Sequence, residues 1–177
     1  MSSFCCNNSC CRNSNCCRPP VPPTPPFPPF PPFPPGGVIS FADYYDLIAE
    51  GETVTVAPGA NVDFSLAGAA GGNGITRTGA GTYLLSAVGS YLVLFEVGVE
   101  EAGQLVLTLN GAELPYTVAG VASTESQIVG MSIVTTTVAN STLTVQNPAS
   151  DTTTLTLTPV AGGTMPVSAH LTIIRLQ

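Results

Sequence analysis

From Pro19 to Pro35 the chain reads PPV-PPT-PPF-PPF-PPF-PP, a triplet that sets Val21, Thr24, Phe27, Phe30 and Phe33 at every third position. No helix and no central strand tolerates such a run, because each proline fixes φ at about −65° and lacks a backbone donor. What it favours is polyproline II, which returns every third side chain to one edge at ~3.1 Å per residue. The three phenyl rings therefore share an edge, ~9 Å apart, on a rod ~50 Å long. Collagen has the same period but needs glycine at every third position, where this chain has phenylalanine, so the segment does not wind into a triple helix by itself. Phe27, Phe30 and Phe33 are candidate docking anchors that need some other surface to cover them.

Upstream, the pairs Cys5-Cys6, Cys10-Cys11 and Cys16-Cys17 hold all six cysteines of the chain. A disulfide between sequence neighbours is strained, so each pair reads as a two-pronged cross-linker to other segments or other chains, with a connectivity that the sequence does not choose. The competing reading is zinc, but the spacing CC-x3-CC-x4-CC lacks a C-x2-C knuckle and has no nearby histidine. No metal and no cofactor is expected. Residues 1–18 contain no apolar signal-peptide core, and no run of apolar residues is long enough for a membrane span. Clustered cysteines without a secretion signal point to a protein made inside a cell and oxidised after release, as in spore coats and virus particles. The chain thus divides into a Cys-rich tail (1–18), a Pro/Phe connector (19–37) and a domain (38–177).

That domain is long enough for one core, yet only 8% of the chain is charged, against about 25% in ordinary globular proteins. There is no lysine, and mean hydropathy is +0.36. Too few charges remain to clothe a monomer, which points to self-association. The charge is also divided: Arg12 and Arg18 make the tail positive, whereas the domain sets all 11 acids against Arg77 and Arg175, a net −9. Tail and body of different subunits attract, although an acidic face that serves only solubility gives the same balance. A pI near 4.2 argues against nucleic acid as a partner.

The domain has no helical period and reads as β throughout. Leu105, Leu107 and Leu109 alternate with polar neighbours, Asn110-Gly111 is a hairpin turn, and Leu114 to Val118 returns. Thr142 to Gln146, a turn at Asn147 to Asp151, and Thr154 to Thr158 read as a second hairpin. Tyr91 to Val99 and Ile128 to Val138 are apolar on both faces, as central strands covered on both sides would be. Val167, Ala169, Leu171 and Ile173 form the inward edge of the last strand. Shorter candidates are Ser40 to Leu47, Thr53 to Ala57, Asn61 to Leu66 and Thr82 to Ser86, whereas the Gly- and Ala-rich stretch Gly68 to Gly81 reads as a mobile surface loop or a close-packing segment. About eight to ten strands result, the spacing of an all-β sandwich or barrel.

Little here does chemistry. The single His170 lies between Ser168 and Thr172 on the outward side of the last strand, a solvent or interface position. Glu100-Glu101 looks like a charged turn, and Gly71-Gly72-Asn73-Gly74 lacks the lysine and helix start of a phosphate loop. Asn140-Ser141-Thr142 and Asn7-Asn8-Ser9 match a glycosylation sequon by chance if the chain is not secreted. No catalytic residues are expected, and the chain is read as not an enzyme.

From Gly81 the residues GTYLLSAVGSYLVLFEVGVEEAGQLVLTLNGAELPYTVAG, then IVGMSIVTTTVANSTLTVQNPASDTTTLTL and SAHLTIIRLQ, resemble the C-terminal domain of the BclA family, collagen-like glycoproteins of the bacterial exosporium. The resembling features are Ser90-Tyr91 at a strand entry, the hairpin Leu107 to Gly111, the Thr-alternating strands and the apolar last strand. The resemblance implies a jelly roll similar to tumour necrosis factor and C1q, assembled as a homotrimer at the spore surface. Upstream the pattern departs: a Cys tail and PPF triplets replace the family's long Gly-x-y repeats, an arrangement more similar to subunits of endospore appendage fibres.

Two functions follow. In the first, the chain is a structural subunit that assembles with itself and with spore coat or exosporium proteins, its connector lodged on a preceding trimer and its cysteines locking the assembly. In the second, it is a displayed trimeric binding head on a Pro-rich stalk. A third, PPF as bait for an SH3- or WW-like domain, ranks last because those grooves want a PxxP register with flanking charge.

Overall fold

The computed structural model describes residues 38–177. Thirteen strands occur among them: β1 (Ser40–Ile48), β2 (Thr55–Val56), β3 (Leu66–Gly71), β4 (Ile75–Gly79), β5 (Thr82–Leu85), β6 (Gly89–Val99), β7 (Gly103–Leu109), β8 (Ala112–Glu113), β9 (Ala119–Val121), β10 (Ser126–Thr136), β11 (Ser141–Gln146), β12 (Leu155–Thr156) and β13 (Val167–Arg175). One single-turn 3-10 helix, Pro115–Thr117, is the sole helical element described.

The strands form two main antiparallel sheets. A front sheet of five strands runs β10-β6-β13-β1-β3, and a back sheet of six runs β4-β5-β11-β7-β8, with β9 also on β7. Period-2 alternation explains how they pack: Tyr91, Val93, Phe95, Val97 and Val99 point inward from β6, while Leu105 and Leu107 on β7 and Leu143 and Val145 on β11 meet them from the back sheet. All are buried, and each large side chain so placed contributes about 1.5–3 kcal/mol. Rings help to tie the sheets together, with Tyr44 and Tyr83 centroids 4.7 Å apart. The Tyr83 hydroxyl donates to Phe64 O and accepts from Phe64 N, both at 3.2 Å, so a buried polar group is satisfied.

Several expectations hold. β1, β5, β6 and β13 fall where alternation set them, and Asn110 and Gly111 have φ of 52° and 80°, the left-handed pair a type I′ hairpin demands. The return arm is interrupted, because Pro115 diverts it into the 3-10 turn before β9 rejoins β7.

Four expectations need correction. Gly68 to Gly81 is no loop; it holds most of the hairpin β3–β4, turning at Gly72. Its small residues permit close packing: a Cβ on Gly71 would stand 2.8 Å from the tip of the Phe41 ring, and one on Gly68 would strike the Asp43 carboxylate. Asn61 to Leu66 makes only one bridge, Asn61 with Gln146, before β3 begins. The second predicted hairpin does not close, since β12 pairs with β2 and not β11. Asn147 takes the chain across, its amide donating to Val56 O and Thr153 O at 2.9 Å each. Finally, Ile128 to Val138 forms an edge strand, β10, with only β6 beside it in the front sheet.

Candidate functional site

Alternation should leave the outward side of each sheet polar, and on the front sheet it does not. β10 turns Val129, Met131 and Ile133 outward, with exposures of 52%, 69% and 55%. The register aligns them with apolar neighbours. Ile133 stands beside Leu92, Leu92 beside Ile174, Ile174 beside Phe41, and Phe41 beside Gly71. This row crosses all five strands, ~20 Å at the usual strand spacing, without a polar side chain. Met131 and Leu94 begin a second row, and Val129 begins a third that ends at Tyr45 and Leu66.

The middle of this face carries its ionisable groups. His170 Nδ1 lies 3.6 Å from Asp43 Oδ1, which also accepts a 2.8 Å hydrogen bond from the Thr172 hydroxyl. The Tyr45 ring stacks on His170 at 5.7 Å, and Glu96 is its neighbour on β6. His170 is therefore outward and half-exposed, as its sequence position indicated, with the apolar row two pairs away and the apolar ends of the other rows to either side. Beside the β10 edge stands Tyr116, exposed, its hydroxyl donating to Ile133 O at 3.3 Å.

The back sheet differs. Its outer side carries Thr76, Leu84, Thr142, Thr144, Thr108, Val106 and Gln146, of which Val106, Thr108 and Thr144 are buried, with the Thr108 and Thr144 hydroxyls 2.7 Å apart. At its margin Asp63 and Arg77 form a two-pronged ion pair, both contacts 2.8 Å, which raises the Arg77 pKa. Of the exposed large hydrophobic residues, seven stand on front-sheet strands and none on back-sheet strands.

The proposed anchors Phe27, Phe30 and Phe33, and the cross-linking Cys5, Cys6, Cys10, Cys11, Cys16 and Cys17, lie outside the described residues. Sequence reasoning missed the apolar rows. Its reading of Tyr91 to Val99 and Ile128 to Val138 as strands covered on both faces differs from the structure: among the described residues one face of each is open. Only the scarcity of charge pointed to a cover outside the chain.

No family model and no curated protein matches this sequence. Solved structures do match in shape. A tumour necrosis factor, Eiger, from S. frugiperda is 17% identical with a TM-score of 0.54, covering 77% of this chain and 93% of that one. Murine APRIL at pH 8.0 is 12% identical with a TM-score of 0.54, covering 77% and 99%. The globular domain of zebrafish complement 1qA is 11% identical with a TM-score of 0.52, covering 77% and 95%. At such identities the likeness is one of fold, and it makes the domain a jelly roll of the TNF/C1q type.

Proposed function

We propose that the chain is a non-enzymatic structural subunit of a bacterial spore-surface fibre or exosporium layer, built on a homotrimer of the jelly-roll domain. The observation that carries the reading is the apolar outer face of the front sheet. The β10 edge with Tyr116 is a ridge, and the row through Phe41 and Ile174 is a floor. A contact of ridge on floor joins two different patches of the same chain, a heterologous interface that closes into a ring when the rotation allows. Three is the number the BclA resemblance implies. Burying Met131, Ile133 and Leu94 would contribute about 1.5–3 kcal/mol per side chain.

The spore-surface setting rests on that same resemblance together with the Cys tail and PPF connector. In this reading the connector lodges on another trimer and the cysteines lock or anchor the result, acting after the domain has folded. Mass measurement of the full chain under reducing conditions tests the trimer; a stable, fully soluble monomer overturns it. Replacing all six cysteines by serine should leave the domain folded and lower the resistance of the assembly to boiling.

The second reading, a displayed trimeric binding head on a Pro-rich stalk, draws on the polar outer side of the back sheet, which self-association through the front sheet leaves open. Negative-stain images of pure protein separate the two readings: fibres favour the structural subunit, discrete trimers the head.

A further inference from the structure

We infer that the cleft at the far pole of the front sheet receives the Pro/Phe connector, residues 19–35, of a second copy of this chain; this rests on the self-assembly reading above. The two poles are distinguished by register. At one, Ser40 pairs with Arg175 and Gly89 with Thr136, and here the chain enters β1 from Val38. At the other, Ile48 pairs with Val167 and Val99 with Ser126. The nine residues of β1 separate the poles by ~30 Å. A connector that leaves its own domain at the entry pole meets the far pole of the next copy when copies stack head to tail. Such a contact does not close, so it propagates as a fibre.

The far pole holds a cleft of about 700 Å³ between the ends of β6 and β10 and the loop that leads into β13. Its walls include Pro159, Val160 and Val167, and Gly98 lies among them. Thr158 N donates to Gly98 O at 3.0 Å and Val167 N to Pro159 O at 2.6 Å, which ties the loop to the sheet and to itself. A Cβ on Gly98 would sit 3.5 Å from Thr158 Cβ and 3.8 Å from Val167 Cγ1, so the missing side chain is part of the open space.

Charge and hydrogen bonding both favour this occupant. Glu100 and Glu125 line the cleft, and among the described residues neither carboxylate has a salt-bridge or side-chain hydrogen-bond partner. The domain's own arginines are engaged elsewhere, Arg77 with Asp63 and Arg175 with Gln177 O and Val88 O. The remaining cations of the chain are Arg12 and Arg18, and Arg18 directly precedes Pro19. Thr158 Oγ1, also in the cleft, is buried without a partner. A polyproline II strand makes no internal hydrogen bonds, so its carbonyls are free to accept from that hydroxyl once the Thr158 side chain rotates to face the cleft. Another surface cleft among the described residues, near Gln104, Val121 and Asp151, has one carboxylate and mostly Ala, Gly and Thr walls.

The test uses the full chain with Phe30→p-benzoylphenylalanine, assembled as a mixture of isotopically labelled and unlabelled protein, irradiated and mapped by mass spectrometry. Adducts between chains on peptides containing 98–101, 125–127 or 158–167 are expected. Gly98→Leu, which fills the cleft, should abolish them. The pair Glu100→Gln and Glu125→Gln, which keeps side-chain shape, should lower their yield roughly tenfold at low salt, as loss of ~1.4 kcal/mol would. The mass of the lateral oligomer should stay unchanged in both variants. Adducts that map elsewhere, or within one chain, overturn the docking site while a persisting trimer preserves the proposed function. A monomeric wild-type chain without adducts overturns both.

Discussion

The outer sides of the two sheets are built on the same backbone rule and end in opposite chemistry. On the back sheet, outward positions carry Thr142, Thr144 and Thr108, β-branched residues that suit a strand, and the buried Thr108 and Thr144 hydroxyls satisfy each other. On the front sheet the equivalent positions carry Ile133, Leu92, Ile174 and Phe41. The inward residues of both sheets are equally apolar, so they define the jelly roll and cannot distinguish its sides. What differs is the cover each side is built to meet. The threonines pair with one another or, at Thr142, reach water, and another copy of the chain is proposed to meet the leucines and isoleucines.

The sharpest way to break this contrast is to place charge on each side in turn. Met131→Glu with Ile133→Glu should convert the assembly to monomers, because two carboxylates would be buried unpaired at the interface. Thr142→Glu on the back sheet should leave the mass unchanged and alter stability by no more than about 0.5 kcal/mol. Size-exclusion chromatography with light scattering reads both. If the front-sheet pair leaves the oligomer intact, the apolar rows are not the interface.

Next in size is a change on the hidden side of the same strand. Gly130 faces inward from β10, and a Cβ there would collide with the buried Phe95 ring. Gly130→Val should therefore destabilise the fold by about 3 kcal/mol or more, measured by denaturant unfolding. Neighbouring residues thus give separable outcomes: Met131 variants change mass with the fold kept, and Gly130 variants change the fold itself.

A smaller effect probes where the sheets meet. Burial pushes the Tyr83 pKa up to about 12 from an ordinary value of 10. Its contribution is complete below pH 10, since neither state is then ionised. Above that, the unfolded chain loses its proton while the folded one retains it, so stability falls as pH rises toward about 12, by ~2–3 kcal/mol in all. Tyr83→Phe should flatten that alkaline loss in thermal melts taken between those values. The smallest expected change is Arg77→Ala, which removes an exposed ion pair and should cost less than ~1 kcal/mol, less still in high salt.

Much of the fold was legible in the sequence because alternation and turn chemistry are local. Asn110-Gly111 and the run from Val167 to Ile173 specify themselves. Gly68 and Gly71 do not: a strand built mostly of Gly and Ala shows no apolar period, and its glycines leave the space that Asp43 and Phe41 occupy. The pairing of β12 with β2 depends on Asn147, whose partners Val56 and Thr153 nothing in its own neighbourhood announces. The apolar rows were half legible. Each residue was visible as hydrophobic, but whether a strand is central or at an edge is decided by sheet order, which no local pattern encodes. The connector anchors and cysteines were legible only as a period and a spacing, and their test is chemical.

The Phe95 ring beneath Gly130 also bears on recognition. Strand pairing at an edge is prone to slip by one residue, which would turn Met131 into the core and Gly130 out to solvent. Glycine admits the ring at a single register, so the pair acts as a ratchet tooth that fixes where β10 stops along β6. The alignment of Ile133 with Leu92, Ile174 and Phe41 then depends on a side chain that no partner ever touches. Phe95→Leu would leave every surface residue in place and still blur the pattern that one copy offers another. In this domain the grammar of the outer face is written partly from underneath.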